Sequence, residues 1–403
     1  METTASFVGN VAVLSATLHK ESWYNTFWSK FSNFSAINDD NGSSKDTPGG
    51  HPIKVWDEAA THGRDNVQIP FVRDLKGTGL KFGDSVLKGA EEDQAMMWMR
   101  AYVNQWRVGV KPKTGGMDEQ RSKIYNLAAQ AQPGLTRLLS KIKNQYIYQG
   151  LYYGINDPLS NAVTGLDGLG ISKRLHPHWF EYETTAGLHA IGTDGITKTT
   201  DLLDAATLGT NYTLAKMDTK LLESLRVQAI TLRIPQMTTI DGMKYWVLVV
   251  HPLQGKSLRA DQDFKAFDGK KLESPELNGA IGVYAGFAIF EDIIGIRGWD
   301  RTNNSLYSDG LTELSSVTTN YNAIIVGNDA IGKANASDSS FESEEDDYKN
   351  VKGIAATTID GINRVDFATE GTNIDAAFSR SASGSFCPAT ALENTSSMIV
   401  MTA

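Results

Sequence analysis

Residues 247–257 read VLVVHPLQGKS, an apolar run followed by a short loop and the start of a helical pattern. The end of this stretch, Gly255-Lys256-Ser257, is similar to a phosphate-binding loop, in which backbone amides and a lysine cradle phosphates. However, Val250 stands where such a loop has its first glycine, and Pro252 has no backbone N–H to offer. We therefore predict a buried strand ending at Val250, a cap at His251 and a helix beginning at Pro252.

The composition is that of a folded chain without a membrane segment. The chain has 403 residues, 41% of them hydrophobic, which is enough for a substantial core. The sequence has no apolar run near twenty residues and no basic N-terminal segment, so we expect neither membrane insertion nor secretion. The single Cys387 cannot form an intrachain disulfide, and we expect folding in a cytosol.

The net charge of -9 disfavours the broad basic surface that non-specific nucleic-acid binding requires, but leaves room for a local basic face.

The N-terminal 66 residues predict an arm. Aromatic residues at positions 24, 27, 28, 31 and 34 keep helical spacing, and a polar, turn-rich stretch follows at 38–50. Such an arm needs a surface to pack on, either in its own domain or on a neighbouring subunit.

Residues 67–116 predict a β-ribbon. An apolar strand at 67–72 precedes a glycine-rich loop, and a long alternating run follows at 94–110. Both faces of that run are apolar, with Met96, Trp98, Tyr102 and Trp106 on one of them. Because isolated two-stranded ribbons are marginally stable in water, we expect this one to lie against another surface, within the chain or beyond it.

The strongest helical pattern covers 117–150, and Pro133-Gly134 predicts a kink or break within it. Residues 298–350 predict an insertion or long loop that ends in the acidic run 342–347, and the last 50 residues alternate weakly, as strands do. The class is mixed α+β. The other predicted elements are a helix at 217–230 and strands at 245–250, 284–290 and 323–326.

Two features contain residue types that bind metal ions. The cluster His176-Pro-His178-Trp-Phe-Glu181, with His189 nearby, has residue types that bind zinc, yet no companion motif supplies a third or fourth ligand. The acidic run lacks the spacing of a calcium-binding loop, so we predict a solvated loop there. The alternative function is a cytosolic nucleotide- or metal-dependent enzyme that uses the Gly255-Lys256-Ser257 loop or the His176/His178 cluster. We favour a chain without enzymatic activity, metal or cofactor.

A set of segments spread along the chain is characteristic in its order. The segments are Leu75-Lys-Gly77-Thr-Gly79, Gly83-Asp84, Leu87-Lys-Gly89-Ala-Glu91-Glu92, Gln120-Arg121, residues 245–252 with Leu258-Arg259, Pro275, residues 279–286, Glu291, Asp346-Asp347-Tyr348, Gly353-Ile-Ala, Gly361, Arg364 and Phe367. In the same order, they resemble segments of the major capsid proteins of N-four-type podophages (Schitoviridae).

This resemblance implies the Hong Kong 97 capsid fold and a division of the chain. The implied parts are an N-terminal arm at 1–66, an E-loop ribbon at 67–116, a peripheral domain with a long spine helix at 117–216, an axial domain at 217–350 with an insertion near 298–350, and C-terminal strands at 351–403 that return to the peripheral domain.

The resemblance also implies a function in the phage head. One chain would form the hexamers and pentamers of an icosahedral shell, assembled in the bacterial cytoplasm, that encloses double-stranded DNA without sequence-specific binding. Decoration, scaffold and portal proteins are the implied partners, and no membrane is involved.

Intersubunit contacts are expected from two regions, and Glu91 and Glu92 are expected to pair with basic residues across the interface. The residues are Leu75, Gly77, Gly79, Gly83, Asp84, Gly89, Glu91, Glu92, Trp98, Tyr102 and Trp106 in the E-loop, and Trp23, Phe27, Trp28 and Phe31 in the arm.

Overall fold

The computed structural model describes residues 25–32, 50–56, 66–72, 80, 82–83, 88, 91, 96–110, 127–154, 176–184, 187–190, 214–239, 242–267, 279–293, 299–300, 305–306, 320–346, 351–368 and 392–403.

Within these ranges helices and strands are mixed, as predicted. The helical elements are a 3₁₀ turn (Phe27–Phe31), α1 (Leu127–Tyr153), α2 (Thr219–Thr231), α3 (Pro252–Ala260) and α4 (Gln262–Phe267). The strands are β1 (Ile53–Trp56), β2 (Asn66–Val72), β3 (Met96–Tyr102), β4 (Asn104–Val110), β5 (Trp179–Glu183), β6 (Gly187–Ala190), β7 (Met237–Thr238), β8 (Lys244–Val250), β9 (Gly282–Tyr284), β10 (Phe287–Glu291), β11 (Trp299–Asp300), β12 (Ser305–Leu306), β13 (Tyr321–Val326), β14 (Ile331–Asp346), β15 (Val351–Arg364), β16 (Phe367–Ala368), β17 (Leu392–Glu393) and β18 (Ser397–Thr402).

The larger sheet has eight strands in the order β6-β5-β18-β13-β8-β10-β9, with β7 beside β8. Its central strands are continuous apolar runs at 247–250, 323–326 and 398–401, and all of their residues are fully buried. Such runs are typical of strands covered on both faces. Helices α2, α3 and α4 cover one face, whereas α1 and the 3₁₀ turn belong to the hydrophobic core on the other.

The smaller sheet has four strands in the order β1-β14-β15-β4, and α1 packs across it. The ring of Tyr146 on α1 meets Trp106 on β4 edge to face, with 5.3 Å between centroids. At Gly150 a Cβ atom would lie 3.1 Å from a methyl group of Ile362 on β15, so glycine allows close contact between helix and sheet. The core on this side of α1 is continuous with that of the larger sheet.

Helix α1 continues through Pro133, so the predicted break does not occur. Pro133 and Gly134 are both exposed. The helix is held instead by the buried face that follows, which includes Leu135, Leu139 and Ile142. The free energy gained by burying this face is larger than the free energy lost with one backbone hydrogen bond at the proline.

The alternating run at 94–110 is two strands and not one. Strand β3 pairs with β2, whereas β4 pairs with β15 in the smaller sheet. At the switch, the side-chain amide of Asn363 accepts a hydrogen bond from the N–H of Tyr102 (3.3 Å) and donates one to its C=O (3.2 Å). A Cβ atom on Gly361 would overlap the Tyr102 carbonyl, so β15 passes close to this point. Asn363 therefore replaces a partner strand where the chain changes sheets.

Two other predicted elements differ from the structure. The run at 284–290 is a hairpin of β9 and β10, turned at Ala285 (φ 52°) and Gly286 (φ 87°), two positive φ values that suit a tight β-turn. Residues 342–346 of the acidic run belong to β14 and pair with β15, so they are not a loop. On its other side, β14 pairs with β1 only at residues 331–334. The acidic residues lie beyond this pairing, and charged side chains are common on unpaired strand edges.

A buried ion pair joins the two sheets and the end of α1. Arg364, which is fully buried, pairs with Asp366 at 2.8 Å and donates hydrogen bonds to the C=O groups of Leu151 (2.7 Å) and Tyr152 (3.3 Å). The side-chain amide of Asn394, just before β18, donates to the same Asp366 carboxylate at 2.9 Å. Arg364 thus satisfies carbonyl groups that the helix end leaves without partners.

We predict that Arg364→Ala lowers the free energy of unfolding by about 3–5 kcal/mol, because it leaves the Asp366 carboxylate buried without its cation. Urea unfolding of the purified subunit measures this. Arg226→Ala, on the exposed face of α2, is the control and should change stability by less than about 0.5 kcal/mol. Equal stability of the two variants would contradict the role given to Arg364.

Candidate functional site

The stretch at 247–257 folds as a strand, a cap and a helix, as predicted. Strand β8 ends at Val250, and His251 caps α3 by accepting a hydrogen bond from the N–H of Leu253 at 3.2 Å. The side chain of Gln254 in turn accepts from the N–H of His251 at 2.8 Å, which completes a capping box.

Residues 255–257 lie in α3, and the contacts found at Gly255 and Ser257 are made within the subunit. A Cβ atom on Gly255 would overlap the Glu291 carboxylate, which pairs with Arg259 at 2.7 Å. The hydroxyl of Ser257 donates to the C=O of Leu253 at 3.2 Å, and Lys256 is exposed. Gly255 therefore allows β10 to approach α3 closely, which explains the glycine without a phosphate.

We predict that Lys256→Ala changes the free energy of unfolding by less than about 0.5 kcal/mol, because the side chain is exposed. Leu258→Ala, in the same helix but fully buried, is the matched control and should destabilise by about 2–5 kcal/mol. Thermal unfolding with and without ATP and Mg²⁺ checks both variants. A nucleotide-dependent rise in Tm that disappears in Lys256→Ala would overturn this assignment.

The histidine cluster lies just before β5 and forms hydrogen bonds with the first residue of β18 and with the segment before it. Nδ1 of the buried His176 accepts a hydrogen bond from the N–H of His178 at 3.0 Å, and Nε2 lies 2.8 Å from the hydroxyl of Ser397. Nε2 of His178 lies 2.6 Å from the C=O of Asn394, to which it donates. Three of the four ring nitrogens thus have protein partners.

Burial is the main reason why the pKa of both imidazoles is lowered, and for His176 the nearby charge of Arg364 adds to the effect. Within the ranges given above, no group of three or more His, Cys, Asp or Glu side chains lies close enough to hold a metal ion. The side chain of His189 lies outside the described part of the structure.

We predict that acid destabilises the fold below pH 6.5, the ordinary pKa of histidine. Because the folded-state pKa of His176 lies below that value, the unfolded chain binds more protons, so the free energy of unfolding decreases as the pH falls through this range. Urea unfolding at pH 7.5, 6.5 and 5.5 measures the slope. His176→Gln should have a shallower slope between pH 6.5 and 5.5, and an unchanged slope would contradict the prediction.

The described arm residues pack inside their own subunit. Trp28 and Phe31 are fully buried, against Tyr148 (5.4 Å between ring centroids) and Phe290 (5.0 Å). They have no surface left for a neighbouring subunit, which corrects the intersubunit role expected for these two residues. Burying each such ring is worth about 1.5–3 kcal/mol, which explains the inward packing.

Phe27 is half-buried, and its contact with a neighbour stays a prediction. Trp23 and the rest of the expected arm helix lie outside the described residues.

Two of the expected ribbon contacts are also used inside the subunit. Trp106 is buried, and its indole N–H donates to the Asp360 carboxylate at 2.7 Å. Tyr102 is buried at the switch between β3 and β4. Both residues therefore stabilise the fold, which corrects the intersubunit role expected for them. The side chain of Trp98 lies outside the described part of the structure.

The segment between β2 and β3 carries the exposed residues of the ribbon. Gly83, with φ of +65°, and Glu91 are exposed. Sequence reasoning missed Leu80 and Phe82, whose relative exposures are 66% and 80%; two large apolar residues beside Gly83 were the available signal. Leu75, Gly77, Gly79, Asp84, Gly89 and Glu92 lie outside the described residues.

Several solved phage capsids have a similar fold. The capsid of Ralstonia phage GP4 matches with a TM-score of 0.59 and 17% identity over 87% of each chain. The cyanophage Pam1 capsid matches with a TM-score of 0.55 and 15% identity over 88% of each chain. The capsid of Helicobacter pylori bacteriophage KHP30 matches with a TM-score of 0.53 and 10% identity over 94% of this chain and 91% of that one.

The fold is therefore that of a phage capsid protein. A family model described as phage capsid protein matches residues 170–378, more than half of the chain, whereas no curated protein sequence matches. The chain belongs to this phage capsid protein family, and it is a major capsid protein of a tailed phage. No helix in the described ranges is both long and apolar enough to span a bilayer.

Proposed function

We propose that this chain builds an icosahedral shell with the domain organisation of the Hong Kong 97 capsid fold. The four-stranded sheet with α1 corresponds to the peripheral domain and its spine helix, and the eight-stranded sheet corresponds to the axial domain. This assignment differs from the expected boundaries, because β5, β6 and β18 belong to the eight-stranded sheet and β14 belongs to the four-stranded sheet. The ribbon of β2 and β3 corresponds to the E-loop. Residues before β2 correspond to the arm, with its 3₁₀ turn anchored in the subunit core.

The exposed apolar side chains of Leu80 and Phe82 support this proposal. Of the two strands that flank them, β3 is packed, because its Met99 and Ala101 are buried against Ala334, Val365 and Phe367. The ribbon is therefore fixed at its base, while its connecting segment presents apolar surface. A second copy of the chain is the proposed partner for that surface.

A small contact is sufficient to hold a shell together when every subunit repeats it. Burying a leucine or phenylalanine side chain is worth about 1.5–3 kcal/mol. A closed shell repeats each contact once per subunit, so that contacts too weak for a stable dimer stabilise the whole assembly. Glu91, which is exposed, and Glu92 extend the proposed contact by pairing with basic residues of the adjacent subunit.

The finer assignments rest on the sequence resemblance. We propose a relationship to the Schitoviridae capsid proteins, hexamers and pentamers as the capsomers, and assembly in the bacterial cytoplasm around double-stranded DNA. A portal protein is the proposed partner at one vertex, with scaffold and decoration proteins as further partners. No catalytic role is proposed.

We predict that the double variant Leu80→Ser and Phe82→Ser folds normally but does not form closed particles, because both side chains are exposed in the subunit. Circular dichroism measures folding, and sedimentation with negative-stain imaging measures assembly. The matched control, Val227→Ser and Ile230→Ser on the exposed face of α2, should assemble. Normal particles from the Leu80/Phe82 variant would refute the ribbon contact, as would an equal defect in particle formation in the control.

A further inference from the structure

The long helix α1 has an unusual charge for this protein. Its 27 residues include Arg137, Lys141 and Lys143 but no acidic residue. The absence of acids extends over residues 120–156 of the sequence, although the whole chain has a net charge of -9. Positive charge is therefore concentrated on one element of an otherwise acidic subunit.

Two of these cations face outward. Arg137 is exposed and Lys141 is half-buried, and they lie one helical turn apart, so both side chains are on the same face. Neither forms an ion pair with any residue that the structure describes. Lys143 is different, because it is fully buried on the opposite side of the helix.

A cavity of about 470 Å³ lies beside these two side chains. It is lined by Arg137, Lys141, Ser140 and Asn144 of α1, by Asn25, Thr26 and Phe27 of the 3₁₀ turn and the residues before it, and by Asp292.

Asp292 is the acidic residue of this lining. It is 9% exposed, and its carboxylate accepts hydrogen bonds from the buried Tyr148 (2.7 Å) and from Asn144 of the same lining (3.1 Å). The Asp292 carboxylate is thus used in contacts within the subunit, whereas Arg137 and Lys141 are more exposed. Among the described residues that line the cavity, these two cations are the exposed and half-buried charged side chains.

We infer that this face of α1, centred on Arg137 and Lys141, contacts the phosphate backbone of the enclosed DNA. The inference rests on the proposed function, in which the shell surrounds double-stranded DNA. Contacts of lysine and arginine with phosphate are independent of base sequence. Two such cations per subunit bind weakly, and repetition over the shell surface multiplies their effect, while the remaining acidic surface of the subunit repels DNA.

The test compares the full-length chain with the double variant Arg137→Gln and Lys141→Gln. The probe is a short fluorescent DNA duplex, and binding is measured by anisotropy at several salt concentrations. Each phosphate that the protein neutralises adds about 0.9 to the magnitude of the slope of log K against log salt, so the slope of the double variant should be shallower by about 1.8. The control, Lys220→Gln and Arg226→Gln on the exposed face of α2, has the same charge change and should keep the wild-type slope.

Three results would overturn the inference. They are an absence of binding by the wild-type chain at low salt, an unchanged slope in the α1 variant, and equally weakened binding in the α1 and α2 variants. If the α1 variant binds DNA normally but assembles poorly, these cations contact an acidic surface of a second subunit, and the DNA assignment is wrong. Particle formation by the wild-type chain is scored separately, so a failure of the proposed function is distinguishable.

Discussion

The fold depends on the buried ion pair between Arg364 and Asp366. A buried pair of this kind is tolerated only when its remaining hydrogen-bonding groups are satisfied. Here the guanidinium binds the last carbonyl groups of α1, and the carboxylate binds Asn394 at the entry to β18. The two sheets and the long helix are therefore joined by this set of directional contacts. This arrangement fixes their relative position more strictly than apolar packing alone would.

The continuous core of the subunit is compatible with assembly into a shell. Helix α1 and both sheets share one continuous hydrophobic core, and the aromatic residues of the 3₁₀ turn extend it. Several apolar residues that the sequence suggested for contacts between subunits are buried inside the subunit instead. They include Trp28, Phe31 and Trp106. In the described part of the chain, the large apolar side chains that stay exposed include the pair Leu80 and Phe82. A rigid body with small exposed contacts is compatible with specific and repeated association.

Local features were predictable from sequence, because their causes are local. The apolar run ending at Val250, the cap at His251 and the proline at the first helical position all lie within a few residues of one another. Helix α2 follows from its apolar spacing in the same way. Features that depend on distant partners were not predictable from local patterns. The switch between β3 and β4 depends on Asn363, which lies 261 positions from Tyr102. The inward packing of Trp28 depends on Tyr148, and the acidic run becomes a strand because Val351 and its neighbours pair with it.

We propose that subunits associate through the segment between β2 and β3. Electron cryo-microscopy of particles formed by the 403-residue chain would show this contact directly. We expect a closed icosahedral shell in which Leu80 and Phe82 are buried against the adjacent subunit. A map in which these residues fold back onto their own subunit, or stay in solvent within an intact shell, would contradict it.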